Sequence, residues 1–234
     1  MPIHTKVDVA IVGAGMGSGV LALLAAARGR RVAVLDRHAD GPRDPVRGEL
    51  LQPNGLRILD RLGLLDGLPA GEVSRTQRFH FHRIGGPRLV TIDYGVLREP
   101  YNYTLIARPS TMMAPLRRRL AETPGIEMRW GCEVVGLVRD GGRVAGVEVV
   151  SNGMRRRIEA AVVVGGDGAA SPVRTALGIR ARPASVPTDG TTSAGGKFWG
   201  CFRWASTRCI CSTSGPRATG PASKRPASTR SRRG

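Results

Sequence analysis

The stretch that most constrains the fold is a glycine-rich turn between an apolar strand and a helix, within residues 7–37. The β-branched residues around Ile11 predict a buried strand, which leads directly into Gly13-Ala14-Gly15-Met16-Gly17-Ser18-Gly19. An Ala- and Leu-rich run then predicts a helix, and a second strand, predicted over residues 31–35, ends at Asp36. This order predicts a βαβ unit whose glycines lie at the turn from strand to helix.

This turn has the chemistry of a dinucleotide site. Gly13 permits a tight turn, and Gly15 has no Cβ atom, so a pyrophosphate can approach the backbone. The helix N-terminus offers unpaired N–H groups and a partial positive charge. Asp36 lies at the spacing where a carboxylate accepts a hydrogen bond from a ribose hydroxyl. The third glycine of the G-x-G-x-x-G pattern is replaced by Ser18, which is small enough for close helix–strand packing.

Two other interpretations of this stretch are open, a glycine-rich turn without a ligand and a membrane span. Residues 9–27 carry no charge, but glycines interrupt the run and a charged strand follows it. A strand–turn–helix unit that binds an adenine dinucleotide explains the whole stretch better than either alternative.

A second glycine-rich turn later in the chain contains an acidic residue. Residues 161–164 predict a buried strand, and Gly165-Gly166-Asp167-Gly168 predicts the turn at its end. Ser171 and Pro172 then favour the start of a short helix, because proline suits the first helical turn. We expect Asp167 to make a second polar contact with the same ligand.

Between these two turns, the apolar period changes from 3.6 residues to 2 over residues 76–106. Phe79 and Phe81 alternate with His80 and His82, and an apolar return strand follows the glycines at 85–86. This pattern predicts a β-hairpin in a sheet layer separate from the βαβ core. The two histidines have no Cys, Asp or Glu at ligand spacing, so we expect no metal site.

A further helix is predicted to open at residues 107–110. Ser110 is expected to cap its N-terminus, and Met113, Leu116 and Leu120 form its apolar face. Three short strands are predicted after it, over residues 127–129, 134–138 and 144–150.

The order of these pieces resembles the flavoprotein monooxygenases of the p-hydroxybenzoate hydroxylase type. The pieces are the dinucleotide βαβ unit ending in Asp36, then Arg108 at the opening of a helix, then the block 165–174. That block resembles the DG motif of the family, whose usual form has alanine where Gly166 stands. Residues 48–55 are similar to a segment of squalene monooxygenase, a member of the same superfamily.

The resemblance covers residues 6–180 and implies an α/β fold. It implies a Rossmann-like FAD/NAD(P)-binding domain over residues 1–180, with a partial antiparallel substrate-domain sheet that includes the inserted hairpin 76–106. It also implies FAD as cofactor, NAD(P)H as reductant, and O₂-dependent hydroxylation of an organic substrate of the aromatic, polycyclic or isoprenoid kind. His80, His82 and Tyr94 would belong to the sheet that faces this substrate.

The cofactor-binding residues that the resemblance implies share one ligand, FAD, and no catalytic side chain is implied because the cofactor carries the O₂ chemistry. They are Gly13 and Gly15 on the pyrophosphate, Asp36 on the adenosine ribose, Arg37 by the adenine, Arg47 and Arg108 towards the pyrophosphate and flavin, Val134 meeting the adenine through its backbone, and Asp167 holding FAD and affecting NAD(P)H use.

The C-terminal part of the chain departs from this family. The family's third FAD motif, a Gly-Asp pair followed by a proline loop, is not found after residue 180. Residues 181–234 hold ten basic residues and one acidic residue, and therefore +9 of the net charge of +18. Three interpretations of this stretch are a disordered basic tail, a binder of nucleic acid or another anionic surface, and an out-of-frame translation that makes the chain an incomplete copy.

Composition sets the remaining expectations. A hydrophobic fraction of 41% suffices for a domain with a core. No secretory signal is read at the N-terminus, and the four cysteines form no disulfide pattern, so a cytoplasmic location is expected. A small-molecule substrate is the expected partner, with no specific nucleic acid and no transmembrane segment. The alternatives to a monooxygenase are an inactive FAD-binding remnant, another FAD-dependent oxidoreductase, and a nucleic-acid-binding protein acting through its tail.

Overall fold

The computed structural model describes residues 6–39, 49–82 and 86–180, together with the backbone alone of 199–203 and 209–213. The described strands, in chain order, are β1 Lys6–Val12, β2 Val32–Asp36, β3 Glu49–Leu51, β4 Val73–Thr76, β5 Arg78–His82, β6 Arg88–Asp93, β7 Thr104–Ala107, β8 Ile126–Trp130, β9 Glu133–Asp140, β10 Arg143–Ser151, β11 Met154–Gly165, β12 Trp199–Arg203 and β13 Cys209–Thr213. The described α-helices are α1 Met16–Ala26, α2 Pro53–Arg61, α3 Pro109–Glu122 and α4 Pro172–Ala176, and short 3₁₀ turns lie at Ala70–Glu72 and Tyr94–Val96.

A six-stranded sheet in the order β8-β2-β1-β11-β10-β9 forms the centre of the molecule. Its strands β8, β2, β1 and β11 run parallel, whereas β11, β10 and β9 form an antiparallel meander. The predicted βαβ unit is thereby confirmed, with β1 and β2 adjacent and α1 as their crossover. The fold is the α/β fold that the glycine-rich turn predicts.

The core on one side of the sheet depends on the close approach of α1 and α3. A Cβ atom on Gly19 would lie 2.7 Å from Leu116 Cδ2 and 3.1 Å from Leu120 Cδ1, so the glycine admits these side chains against the α1 backbone. Leu116 and Leu120 are buried there with Ile11 and Val34. A second core, between the meander and α4, surrounds residues of β1, β2 and β9. Both clusters anchor the strands that carry the glycine-rich turns.

Two smaller antiparallel sheets lie outside this central sheet. Strands β3, β7 and β4 form one of them, in that order. Strands β5 and β6 form the other, and their pairing confirms the alternation predicted for Phe79 to His82. Part of the predicted turn, at residues 83–85, lies outside the described residues. The assignment of 76–106 to a substrate layer, and of 1–180 to one domain, stays a prediction.

The structure corrects two local predictions. Ser110 does not occupy the N-cap position of α3, because the helix begins at Pro109 and Arg108 is the residue that precedes it. Proline fixes φ near the helical value and needs no donor at this position, so the helix starts two residues earlier than a Ser110 cap would place it. The strand predicted at 161–164 is the end of the longer β11, and Val162 there is 52% exposed rather than buried. Strand β10 pairs with β11 only up to Glu159, so this part of β11 has a neighbour on one edge alone.

Most of the C-terminal stretch 181–234 lies outside the described residues, and the interpretations of it as disordered, nucleic-acid-binding or out of frame stay predictions. The backbone of β12 and β13 departs from the expected lack of secondary structure, because these two strands pair antiparallel. Their sequences contain Trp, Phe and Ile, which favour strands. In the part of the chain that the structure describes, no helix is long and apolar enough to cross a membrane.

Candidate functional site

The candidate site lies where three parallel strands end together. Val12 at the end of β1 is in register with Leu35 of β2 and with Gly165 of β11. The Gly13 N–H donates to the Leu35 carbonyl at 2.7 Å, and the Gly166 N–H donates to the Val12 carbonyl at 2.8 Å. These bonds join the first glycine-rich turn to the end of β2 and to the second turn. Carboxyl ends of parallel strands are where open α/β sheets bind ligands.

Gly13 is required by its conformation and by its neighbours. Its φ is +92°, in the left-handed region that glycine occupies without strain. A Cβ atom at this position would lie 2.4 Å from the Gly166 carbonyl oxygen and 2.9 Å from Asp167 Cα. The missing side chain of Gly13 therefore faces the second turn, and its absence lets the two turns touch through their backbones.

Gly15 faces open space at the start of α1. It is the N-cap residue with an extended backbone, and no side chain among the described residues caps the helix or places an acid in its first turn. A Cβ atom on Gly15 would meet nothing within 4 Å. The N–H groups of the first helical turn consequently point towards an accessible region, with the partial positive charge of the helix behind them.

Asp36 ends β2 beside this helix start and is 9% exposed. Its Oδ2 accepts a hydrogen bond from the Ala14 N–H at 2.9 Å, inside the glycine-rich turn itself. Its Oδ1 accepts from the His38 N–H at 2.9 Å and lies 3.0 Å from His38 Nδ1. A carboxylate has about four lone-pair positions. Two backbone N–H groups engage two of them and the His38 ring lies beside a third, which leaves room for a ligand hydroxyl.

Asp167 lies in the second turn with one carboxylate oxygen engaged and one orphaned. Its Oδ2 accepts from the Val173 N–H at the start of α4, at 3.1 Å. Its Oδ1 is buried and has no hydrogen-bond partner among the described residues. Buried carboxylate oxygens are normally paired, so this atom indicates a donor that the described residues do not supply. The helix predicted to start at Ser171 and Pro172 is α4, and the Ser171 side chain caps it by accepting from the Arg174 N–H at 3.0 Å.

The remaining predicted site residues lie on three different elements. Arg37 follows β2 and is exposed, and Val134 on β9 is buried. Strand β9 lies next to the end of β2, because the Cys132 N–H donates to the Asp36 carbonyl at 2.8 Å. Arg108 is exposed at the start of α3. Arg47 lies outside the described residues.

Strand pairing nevertheless brings the chain next to Arg47 and the chain next to Arg108 together. The first residue of β3, Glu49, pairs with Ala107, the residue before Arg108. The described chain on the Arg47 side therefore begins beside Arg108. The structure thus gathers Gly13, Gly15, Asp36 and Asp167 around the joined turns, with Val134 beside Asp36 through the end of β9.

Sequence reasoning missed the backbone partners of Asp36. The Ala14 N–H and His38 are not named by the motif, although both lie within or next to it. Only the position of His38, two residues after an aspartate, is a usable signal, since aspartates commonly accept from the N–H two residues on.

A separate cleft of about 490 Å³ lies on the hairpin side of the molecule. Its lining residues are Arg75, Thr76, Gln77, Arg78 and Tyr103. The Arg75 guanidinium lies over the Tyr103 ring, 4.9 Å from its centroid, and Arg78 pairs with Asp93 at 2.8 Å. His80, on the same hairpin, lies 2.8 Å from Thr91 Oγ1 through its Nδ1. Within the described ranges no three His, Cys, Asp or Glu residues group together as metal ligands.

Comparison with known proteins gives the following matches. A family model described as an FAD binding domain matches residues 6–195. The 6-methylpretetramide 4-monooxygenase of Streptomyces rimosus is 36% identical over 176 residues, which are 75% of this chain and 41% of that protein. Squalene monooxygenase 1,1 of Brassica napus is 34% identical over 149 residues, with 60% and 27% covered.

Among solved structures, the anhydrotetracycline hydroxylase OxyS of Streptomyces rimosus has a TM-score of 0.64 at 29% identity. The similarity covers 74% of this chain and 34% of that one. The chain therefore spans less than half the length of each of these three proteins.

Proposed function

The chain belongs to the family of FAD-binding domains, with FAD as its cofactor, and from this we propose that it forms the nucleotide-binding part of a monooxygenase. The proposed reaction is the hydroxylation of an organic substrate with NAD(P)H and O₂. The observation that carries the proposal is the pair of joined turns. The N-terminus of α1 opens there into free space at Gly15, and the orphaned carboxylate oxygen of Asp167 lies in the adjoining turn.

The first turn is proposed to hold the diphosphate of FAD. The N–H groups at the start of α1 donate to the phosphate oxygens, and the lack of a Cβ atom on Gly15 lets these oxygens approach. Gly13 acts one step further away, because its missing side chain is directed at the second turn. Asp36 accepts from the adenosine ribose with its remaining lone pair, while its bonds to Ala14 and His38 hold the carboxylate in place.

The second turn and the arginines are proposed to hold the rest of the cofactor. Asp167 Oδ1 accepts a hydrogen bond from FAD, which would satisfy the buried oxygen. Arg37 and the backbone of Val134 flank the adenine, and Arg47 and Arg108 lie towards the diphosphate and flavin. Bound FAD supplies the redox chemistry with NAD(P)H and O₂, which no side chain provides. The task of the chain's residues is to bind and orient it.

The substrate is proposed to be aromatic, polycyclic or isoprenoid. The relatives' names support this class, since they are a 6-methylpretetramide monooxygenase, an anhydrotetracycline hydroxylase and a squalene monooxygenase. The β5–β6 hairpin, with His80 and the cleft beside Arg75, is the proposed substrate side. A cytoplasmic location and the absence of a nucleic-acid partner belong to the same proposal.

Titration of the purified chain with FAD, followed by flavin fluorescence, tests the site. Asp36→Ala is expected to weaken FAD binding by about tenfold or more, because a hydrogen bond to a charged group is worth roughly 1.5–3 kcal/mol. Asp8→Ala is the matched control. Asp8 Oδ2 accepts from the Arg31 N–H at 2.7 Å, much as Asp36 accepts from Ala14, but it lies at the opposite end of β1. Equal weakening by both substitutions would contradict the assignment of Asp36.

A second candidate is an FAD-binding protein that oxidises NAD(P)H without hydroxylating a substrate. The exposure of five of the six residues of β6 among the described residues favours it, because water that reaches the flavin diverts the reaction from hydroxylation. The two candidates differ in the fate of O₂. Hydroxylated product that accounts for the NAD(P)H consumed supports the monooxygenase, whereas H₂O₂ in its place supports the second candidate.

A further inference from the structure

Two residues at which the sequence departs from the expected motifs meet in the structure. Ser18 stands at the third glycine position of the first turn, and Gly166 stands where the DG motif has alanine. Ser18 lies in the first turn of α1 and is buried. A Cβ atom on Gly166 would lie 2.1 Å from Ser18 Oγ and 3.5 Å from Ser18 Cβ. Non-bonded heavy atoms favour separations of about 3.5–4 Å, so the Ser18 hydroxyl fills the space that an alanine methyl needs.

The backbone at Gly166 would otherwise accept alanine. Gly166 does not have a positive φ, so its backbone conformation does not by itself require glycine. The next contact of the added Cβ, after Ser18 Oγ, is the Val12 carbonyl oxygen at 3.3 Å. This backbone oxygen would have to move by only a few tenths of an ångström, far less than the Ser18 hydroxyl. The main obstacle to a side chain at residue 166 is therefore the Ser18 hydroxyl.

The contact lies between the two turns of the candidate site. Gly166 is bonded to Val12 through its N–H and touches the Gly13 position through its carbonyl oxygen. Ser18, on α1, packs its hydroxyl against the Gly166 Cα from another side. The next residue, Asp167, carries the orphaned carboxylate oxygen. A shift of the Gly166 backbone therefore moves that carboxylate relative to the first turn of α1.

We propose that Ser18 and Gly166 form a matched pair that sets the distance between the two turns and thereby positions the Asp167 carboxylate for the cofactor. Each residue suits the other, since serine needs the space that glycine leaves free. Both act as positioning residues, because the packing of the Ser18 hydroxyl against the Gly166 backbone fixes where the two turns lie. The cofactor part of this inference rests on the proposed function, whereas the pairing itself rests on the packing alone.

A double-mutant cycle tests the pair with the full chain as wild type, Ser18→Gly, Gly166→Ala and the double variant. Gly166→Ala is expected to lower the unfolding temperature without FAD by about 5 °C, because overpacking is destabilising. It is also expected to weaken FAD binding by about tenfold. Adding Ser18→Gly to Gly166→Ala should raise the unfolding temperature and the FAD affinity again. Ser18→Gly alone is expected to lower the unfolding temperature, because it places glycine in a helix. Gly71→Ala is the matched control, since its Cβ would meet nothing within 4 Å.

The outcomes separate the pair from the proposed function. A stable double variant beside a destabilised or unfolded Gly166→Ala supports the pair. Additive losses in the double variant, or a Gly166→Ala protein as stable as Gly71→Ala, overturn it. Coupled stability with the same FAD affinity and the same bound-flavin absorption spectrum in all four proteins overturns the positioning role. A wild-type chain that binds no FAD but shows coupled stability refutes the proposed function and leaves the pairing supported.

Discussion

Strands β2 and β6 represent two contrasting regions of the molecule. All five residues of β2 are buried, whereas five of the six residues of β6 are exposed. Strand β2 is flanked by β1 and β8 and covered by residues from two core clusters. Strand β6 pairs with β5 alone, and its Leu89, Val90 and Ile92 are 44%, 52% and 42% exposed. The central sheet, which carries the glycine-rich turns, thus has its own hydrophobic core, whereas the β5–β6 hairpin buries few apolar side chains.

This contrast in burial leads us to expect a difference in local stability, although the hairpin side also makes specific contacts. The Phe79 and Tyr94 rings pack edge to face at 6.0 Å, and the Tyr94 hydroxyl donates to Gln52 Oε1 at 2.7 Å. A two-stranded hairpin is marginally stable in water unless it packs on further structure, and among the described side chains Phe79 is the one residue of β5 and β6 that is buried. We therefore expect the glycine-rich turns to be preorganised for a nucleotide, while the hairpin opens at a much lower free energy.

The largest expected effect is at Gly13, where the two turns touch. Gly13→Ala should destabilise the protein by about 3 kcal/mol, because it combines overpacking against Gly166 with strain at positive φ. Gly29→Ala is the matched control. Gly29 has φ +71° and no atom within 4 Å of an added Cβ, so only the strain of about 1 kcal/mol is expected there. Urea unfolding measures both, and equal losses would contradict the close contact between the turns.

Truncation of one leucine in each region sharpens the comparison. Leu116→Ala removes a fully buried side chain that packs on Gly19, and a loss of about 3 kcal/mol is expected. Leu89→Ala removes the same atoms from β6, where the side chain is 44% exposed, and a loss below about 1 kcal/mol is expected. Similar losses in urea unfolding at both positions would mean that the hairpin has a core of its own.

The smallest expected effect is a loss of stability of the β5–β6 hairpin at low pH. A hydrogen bond from the Arg78 side chain, aided by the Gly95 N–H, lowers the pKa of the Asp93 carboxyl in the folded protein. A carboxyl with a lowered folded pKa stabilises the fold above its unfolded pKa, near 4, and this contribution is lost as pH falls through the folded pKa. Amide hydrogen exchange in β5 and β6 should therefore accelerate below about pH 4 relative to that in β1 and β2.

Asp93→Asn is the control for the effect of acid, because the amide does not titrate in this range. In that variant the acceleration of β5 and β6 exchange below about pH 4, relative to β1 and β2, should be smaller than in the wild type. An unchanged acid response in the variant would assign the effect to other groups.

Local patterns in the sequence were enough to predict most of the nucleotide side. Strand β1, helix α1 and strand β2 follow from apolar runs and the glycines between them, and the start of α4 follows from Ser171-Pro172. These features depend on residues close in the chain. The alternation of Phe79 to His82 predicted the β5–β6 pairing for the same reason.

Features that depend on which surfaces are covered could not be predicted from local pattern. Val162 is as apolar as its neighbours, yet it is exposed because β10 leaves β11 at Glu159. The meeting of Ser18 with Gly166 joins residues far apart in the chain, and the partners of Asp36 within the site are backbone N–H groups that any residue carries. Tertiary packing decides all three.

Competition between FAD, ADP and FMN tests the central claim most directly, namely that the joined turns bind the ADP end of the cofactor. Bound FAD is followed by its fluorescence while unlabelled ADP or FMN is added. The account predicts that ADP displaces FAD, since ADP contains the diphosphate and ribose assigned to Gly15 and Asp36, and that FMN does not. Failure of the chain to bind FAD, or displacement by FMN but not by ADP, would contradict the account.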